Sequence, residues 1–361
     1  MKAIQNESGL QLSILVTGMH LDPAFGMSVN EIESDGFFID AKINVNSEGE
    51  GGLGMALSIA KAIDGISKEL NELKPDLVLL LGDRAEIVAA AIAAAYQNIF
   101  IGHIHGGDKS KGGLDESTRH AITKFAHLHF PATEKSAERI LKLGEDPRHV
   151  FVCGAPGLDT ILNQKLLTVA ELEIELGFRL NNDFLVVVQH PVSTEPENAV
   201  PQIEETLAAI HAINKQTILI YPNSDSGGFA IINRIAEERD KPDLHIFKTL
   251  SHTVYLSLLK HCSALIGNSS SGMIESASFK IPVINIGIRQ EGREHSANVV
   301  HVPHDRMAIT EAWKEVQSPE FKAVLQNLHN PYGEGNAASK IAGILANFTF
   351  DRSLIQKQIS Y

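Results

Sequence analysis

Short apolar runs alternate with stretches of helical period along most of this chain. LQLSILVTG, DLVLLLGD and FIGHIHGG read as strands, whereas LGMALSIAKAIDGISKEL and EIVAAAIAAAYQ space their apolar residues as one face of a helix requires. Strands in alternation with helices predict parallel strands joined by crossover helices. The runs are continuously apolar rather than alternating, which suits a sheet covered by helices on both faces. Further on come the segment Ala121 to Phe130, a helix from Glu134 to Leu143, a strand from Val150 to Cys153 and the turn GAPG.

The alternation restarts after Asn163. A helix from Val169 to Leu176, the strand FLVVVQH, a helix from Gln202 to Ile213, TILIYPN, a helix near Phe229 to Glu238 and LHIFKTL form a second βα series. It continues with a helix from Val254 to His261, SALIGN, a helix from Gly272 to Phe279 and PVINIG. The chain therefore reads as α/β, with two Rossmann-like, doubly wound domains and a cleft between them. The first is placed at residues 1–165 and the second at 166–335, with a linker between Asn163 and Thr168. The tail 336–361 is expected to form a helix from near Asn336 and to pack back on the first domain.

The opening is irregular. MKAIQNES reads as the last turns of a helix ended by Asn6 and Ser8, whereas a doubly wound domain opens on a central strand and a phosphate-binding turn. The expectation is that roughly twenty further residues stand upstream and that the chain as given leaves a gap in the centre of the first sheet.

Composition narrows the function. A chain of 361 residues exceeds one ordinary doubly wound unit. Its net charge of -13 argues against a nucleic-acid surface, so an anionic ligand must meet locally concentrated cations. Cys153 and Cys262 lie far apart, each at the end of an apolar run, and read as small buried hydrophobes. The start lacks the segments of a secretory signal and no apolar run approaches bilayer length, so the cytoplasm is the expected compartment and no membrane partner is expected.

Candidate chemistry gathers where strands end. In GNSSSGMIE, Ser269, Ser270 and Gly272 lead from a strand into a helix whose free N–H groups form an anion site, or else Ser merely caps it. Glu275, one turn in, either reaches a ribose or complements the dipole. Asp83 and Arg84 hold the matching place in the first domain, Asp83 reading first as an N-cap and Arg84 as a guanidinium for phosphate. One such turn per domain implies a ligand in the cleft.

His103 and His105, one residue apart on a strand, would point the same way and with Asp108 allow a metal reading beside a hydrogen-bonding one. The loop KSKGG that follows reads as a mobile flap. Asp115 starts a helix as an N-cap or as a general acid or base, with Glu116 in its first turn. His127 and His129 read as structural. His190, before a proline in QHPVST, stands where a ligand-facing histidine would sit. RQEGRE sets Arg289 and Arg293 in one loop, as a solvated pair or as anion ligands.

Taken together, GDRAEI, HIHGGD, LDESTRHAITK, QHP, YPNSDSG, GNSSSGMIE, GIRQEGRE and NPYGEGNA resemble the hydrolysing UDP-N-acetylglucosamine 2-epimerases of sialic acid synthesis, over nearly the whole chain. That family includes bacterial enzymes acting on UDP- or GDP-linked N,N'-diacetylbacillosamine for legionaminic acid. The resemblance implies a fold of the GT-B type, a nucleotide sugar in the cleft, no dissociable cofactor or metal, and a homodimer or homotetramer. It implies nucleotide contacts at Arg84, His190, Asn223, Ser269, Ser270, Glu275 and Arg289, with Gly272 in the same turn and His190 also serving the chemistry. Acid/base positions fall on Asp83 and Asp115. At a third, where several relatives carry Glu, stands His105, with Asp108 three residues on, and either is open for the role.

The chemistry implied is loss of the nucleotide to give a 2-acetamidoglucal, then addition of water. A GT-B glycosyltransferase and a non-catalytic nucleotide-sugar sensor share the phosphate sites and remain the alternatives.

Overall fold

The computed structural model describes residues 1–45, 51–109, 114–163 and 165–360, so most of the expected flap, residues 110–113, lies outside the described residues. The first domain runs α1 (Lys2–Asn6), β1 (Leu15–Thr17), α2 (Val29–Ser34), β2 (Ala41–Ile43), α3 (Gly51–Leu73), β3 (Leu77–Leu81), α4 (Ala85–Tyr96), β4 (Phe100–Ile104), α5 (Asp115–Phe125), β5 (Leu128–Phe130) and α6 (Glu134–Lys142). Its strands pair in parallel as two pieces, β1 with β2 and β3 with β4 with β5. Among the described residues no ladder joins the pieces. One core nonetheless serves both: Ile43 and Val45 pack with Leu80, with Ile66 and Leu70 of α3, and with the buried alanines of α4. Those small side chains, Ala89, Ala91, Ala93 and Ala94, let α4 lie close to the sheet and to α3.

The strand expected from Val150 to Cys153 shrinks to one bridge, His129 with Val150. Phe151 N–H and Cys153 N–H do donate to the carbonyls of His129 and Pro131, but Pro131 has no N–H to return, so the ladder stops. α7 (Gly157–Asn163) then leaves the first sheet, and its Leu158 and Ile161 join the core of the second domain beside Leu172, Phe184 and Val186.

The second domain continues through α8 (Val169–Leu176), β6 (Leu185–Val188), α9 (Ala199–Ile213), β7 (Thr217–Ile220), α10 (Gly228–Ala236), β8 (Leu244–Phe247), α11 (His252–His261) and β9 (Ala264–Gly267). It ends with α12 (Ser271–Ile274), α13 (Ser276–Phe279), β10 (Val283–Ile286), β11 (Val299–Val302), α14 (Arg306–Val316) and α15 (Pro319–Gln326). α8 begins where expected because Thr168 and Glu171 form a reciprocal capping box, and it stops at Gly177 with φ 79°.

All six strands are parallel in the order β8-β7-β6-β9-β10-β11. The order reverses between β6 and β9, the point at which an open α/β sheet leaves a crevice outside its carboxyl ends. The single helix expected from Gly272 to Phe279 is broken in two at Glu275, where the Ser276 hydroxyl donates back to the Gly272 carbonyl at 2.6 Å.

α16 (Ala337–Asn347) returns to the first domain, where Ile341 and Leu345 pack on Ile104, Leu128, Phe130 and Cys153. Both cysteines are buried thiols. Among the described residues no helix is long and apolar enough to cross a membrane.

Candidate active site

The second domain contributes the switch point of its sheet. Gly267 ends β9 at φ 131°, and a Cβ there would lie 2.0 Å from the Val188 carbonyl oxygen, so only glycine lets β6 and β9 run this close. Buried Asn268 then ties the two strand ends together. Its Oδ1 accepts from the His190 N–H at 2.7 Å and its Nδ2 donates to the His190 carbonyl at 2.9 Å. The Asn223 N–H donates to His190 Nδ1 at 3.0 Å, which makes Nδ1 the acceptor and leaves the ring proton on Nε2. Burial, with Arg289 and Arg84 nearby, pushes His190 well below its ordinary value, so it stands neutral with one N–H to offer.

Ser270 precedes α12 as expected, but α12 is a single turn and no side chain caps it. So short a helix carries little dipole. What this corner offers an anion is hydroxyl groups, those of Ser269, Ser270 and Ser271, faced by Tyr255. Glu275 follows, its carboxyl raised by burial against the Ser271 hydroxyl and the charges of His252 and His105. Gly272 follows the three serines in the same turn. Its N–H goes to the Ser269 carbonyl at 3.1 Å and a Cβ on it would meet Val283 Cγ1 at 2.8 Å, so it serves helix-to-sheet packing.

The first domain faces this corner with carboxylates. Asp83 does not cap α4: Arg84 holds the N-cap position, and no side chain caps the helix. Asp83 turns instead to Arg119, its Oδ2 accepting from Nε at 2.8 Å and from Nη2 at 2.5 Å. Asp115 makes no cap either, because α5 begins at Asp115 itself. Burial and then the Asp83 carboxylate raise the proton affinity of Asp115, against the pull of Arg289.

β4 stops at Ile104, and His105 takes φ 66°, a left-handed conformation uncommon outside glycine. His103 and His105 therefore do not project together, contrary to the strand reading. His103 is fully buried, its Nε2 donates to the Gly82 carbonyl at 2.9 Å, and burial lowers its pKa to about 4. His105 Nδ1 lies 3.1 Å from Asp108 Oδ2, while Ser136 Oγ donates to Asp108 Oδ1 at 2.9 Å. Burial alone would raise Asp108, but the His105 bond and the charges of His105, Arg293 and Arg119 hold it well below the usual carboxylate range. Among the described residues no group of three or more His, Cys, Asp or Glu side chains is placed to hold a metal ion.

Across the cleft the two sets meet. Arg84 Nη2 donates to Ser224 Oγ at 3.2 Å and lies 3.5 Å from Asp225 Oδ1. Arg289 Nη2 stands 3.9 Å from both Asp115 and Asp225, and its Nη1 donates to the Asn268 carbonyl at 3.3 Å. Asn223 Nδ2 donates to Asp225 Oδ2 at 2.6 Å. Arg293 comes within 4.0 Å of Asp108, and Glu294 accepts a hydrogen bond from Thr133. Arg84, Arg289 and Arg293 each lie within 4.0 Å of a carboxylate here.

Four participants escaped the sequence reading. Arg119 lies four residues after Asp115 and three after Glu116, a helical spacing that signals one face. Asp225 and Asn268 stand inside motifs whose other members were singled out. Tyr255 carries no local signal, sitting in an ordinary amphipathic helix.

Comparison with known proteins agrees with this architecture. Residues 2–346 match the family model described as UDP-N-acetylglucosamine 2-epimerase. The chain is 38% identical over 362 residues to the hydrolysing UDP-N,N'-diacetylbacillosamine 2-epimerase of Legionella pneumophila, covering 100% of this chain and 94% of the relative. It is 35% identical to the hydrolysing GDP/UDP-N,N'-diacetylbacillosamine 2-epimerase of Campylobacter jejuni, over 88% of this chain and 83% of that one. Its fold superposes with a TM-score of 0.76 on the crystal structure of UDP-GlcNAc 2-epimerase from Neisseria meningitidis bound to UDP-GlcNAc, at 20% identity and over 95% of this chain and 93% of that one. A two-domain α/β frame with its crevice at the strand-order reversal, together with these matches, shows that the chain belongs to the UDP-N-acetylglucosamine 2-epimerase family, in its hydrolysing branch.

Proposed function

We propose that the protein cleaves a UDP-linked 2-acetamido sugar with inversion at C2, releasing the free manno-configured sugar and UDP in the cytoplasmic synthesis of a sialic- or legionaminic-type acid. One observation carries the reading: Arg84 and Arg289 flank the His190 ring at a crevice where Arg289 meets Asp115, Asp83 adjoins Asp115, and His105 stands near Glu275. The similarity to the Legionella relative favours N,N'-diacetylbacillosamine as the sugar.

The C2 proton is weakly acidic because no carbonyl adjoins it. Departure of UDP supplies the acidity, since positive character grows at C1 as the C1–O bond lengthens. Arg84, Arg289, His190 and the Ser269 and Ser270 hydroxyls meet the charge growing on the leaving diphosphate. Asp115, with its raised proton affinity, takes the C2 proton. The C–H electrons form the C1=C2 bond and the C1–O pair leaves with UDP, while the Asp83 carboxylate faces the positive C1.

Rehydration then adds the hydroxyl of a water to C1, the Asp83 carboxylate taking that water's other proton, and delivers a proton to C2 on the opposite face. Inversion needs a second proton carrier, and His105 supplies it, its ring oriented by Asp108 at Nδ1 so that Nε2 is the working atom. Each such positioned acid or base is worth roughly a hundred- to ten-thousandfold in rate.

Incubation in heavy water with UDP-N,N'-diacetylbacillosamine, its GDP analogue and UDP-N-acetylglucosamine, followed by proton NMR, tests this. The expected result is free sugar carrying deuterium at C2. Free sugar without deuterium rules out elimination, and no free sugar from any of the three overturns the reading.

A further inference from the structure

We propose that Arg119 is a positioning residue of this site, a buried guanidinium that holds the Asp83 carboxylate, the turn bearing His105 and Asp108, and the start of α5 in one geometry. This deepens the functional reading above and rests on it. Arg119 heads the fully buried side chains by volume and is 1% exposed. A charge so buried is tolerable only when its donors are satisfied, and here they reach three segments, the turns after β3 and β4 and the first turn of its own helix. Nε and Nη2 both donate to Asp83 Oδ2, in the turn after β3. Nη1 donates to the Asp108 carbonyl at 2.7 Å, in the turn after β4, and to Glu116 Oε2 at 2.8 Å, in the first turn of α5.

A second tie runs beside it, from the Thr118 hydroxyl to the Asp83 carbonyl at 2.7 Å. Each segment carries one group that the chemistry uses: Asp83 itself, His105 with Asp108, and Asp115 next to Glu116. The planar fork of arginine reaches all three, whereas a lysine ammonium is a point charge on a flexible stem and serves one at a time. Arg119, buried beneath Asp83, acts through that carboxylate rather than on the substrate.

The test compares wild type, Arg119→Lys and Glu116→Gln by kcat and KM for the nucleotide sugar and by UDP titration calorimetry. Arg119→Lys should lose at least about a hundredfold in kcat while keeping KM and its Kd for UDP within threefold. Glu116→Gln, at a half-exposed position, should fold normally and show a several-fold loss of kcat with unchanged UDP affinity; it decides the matter if Arg119→Lys does not fold. Wild-type kcat in the folded variants overturns the proposal, as does a loss of kcat matched by an equal loss of UDP affinity. A wild type that turns over no nucleotide sugar overturns the functional reading instead, and a crystal structure of Arg119→Lys then decides the role of Arg119: displacement of Asp83 and of the His105 turn supports it, and their unmoved positions overturn it.

Discussion

The Lys357 ammonium lies 2.5 Å from the carboxylate of Glu145, which is itself 2% exposed. The same ammonium donates to the carbonyls of Thr123 at 3.3 Å and Lys124 at 3.1 Å and to that of Ala126. These are end carbonyls of α5, which lack intrahelical partners and attract a cation. The opposite end of α5 carries Asp115, so the tail that follows α16 clamps the helix on which the site depends.

Removing that clamp should destabilise the protein. For Lys357→Met we expect a loss of about 2 kcal/mol, below the usual cost of breaking a buried pair because Lys124 and His129 remain on Glu145. Calorimetric melting should show the drop as several degrees. An unchanged Tm would mean that the tail merely lies on the surface.

Acid should weaken the fold in two stages. Burial lowers His103 from 6.5 to about 4, so the unfolded chain takes up a proton that the native one refuses, and stability falls as pH drops from about 6.5. Glu145 is held down from 4.5 to about 2, against its burial, by bonds from His129, Lys124 and Lys357. Its contribution is full above 4.5 and is lost as pH falls toward about 2. Melting temperatures should therefore be level above neutrality, decline from about pH 6.5 and fall more steeply below 4.5. A Tm that rises between pH 7 and pH 5 would contradict this.

Asp115→Asn should lose about a hundredfold or more in kcat while binding UDP within a few-fold of wild type. Turnover by product NMR and calorimetric UDP binding separate the two effects. Near-normal turnover would leave Asp115 as nothing more than the first residue of α5.

The nucleotide side should respond in the opposite way. Arg84→Ala should weaken UDP binding by roughly tenfold to a hundredfold, the scale of one charge-assisted hydrogen bond, with Ser270→Ala and Glu275→Ala weaker by smaller factors. Titration calorimetry reads each directly. Wild-type affinity in Arg84→Ala would remove that guanidinium from the nucleotide site.

How much was legible follows from what each feature depends on. Period and strand composition are local properties, so the second domain emerged from sequence nearly strand by strand, and its strand ends pointed at once to His190, Ser269 and Ser270. Elements short of a full local signal did not emerge: α2, β2 and β11 span six, three and four residues. Asp83 and Asp115 read as helix caps because local pattern knows only the helix beside them. Their true partners, Arg119 and Arg289, lie 36 and 174 residues away.

The sequence by itself determined the fold class, the family resemblance and the crevice-facing turns, since apolar periodicity and strand-turn-helix chemistry are written in neighbouring residues. Only the tertiary structure decided that His105 turns away from His103, because a left-handed φ is set by the packing of the turn and not by the strand before it. Only it decided that Asp83 binds a buried guanidinium rather than a helix end. A charge buried from water takes whichever partner the packed chain brings within hydrogen-bond reach, and that choice is made in three dimensions.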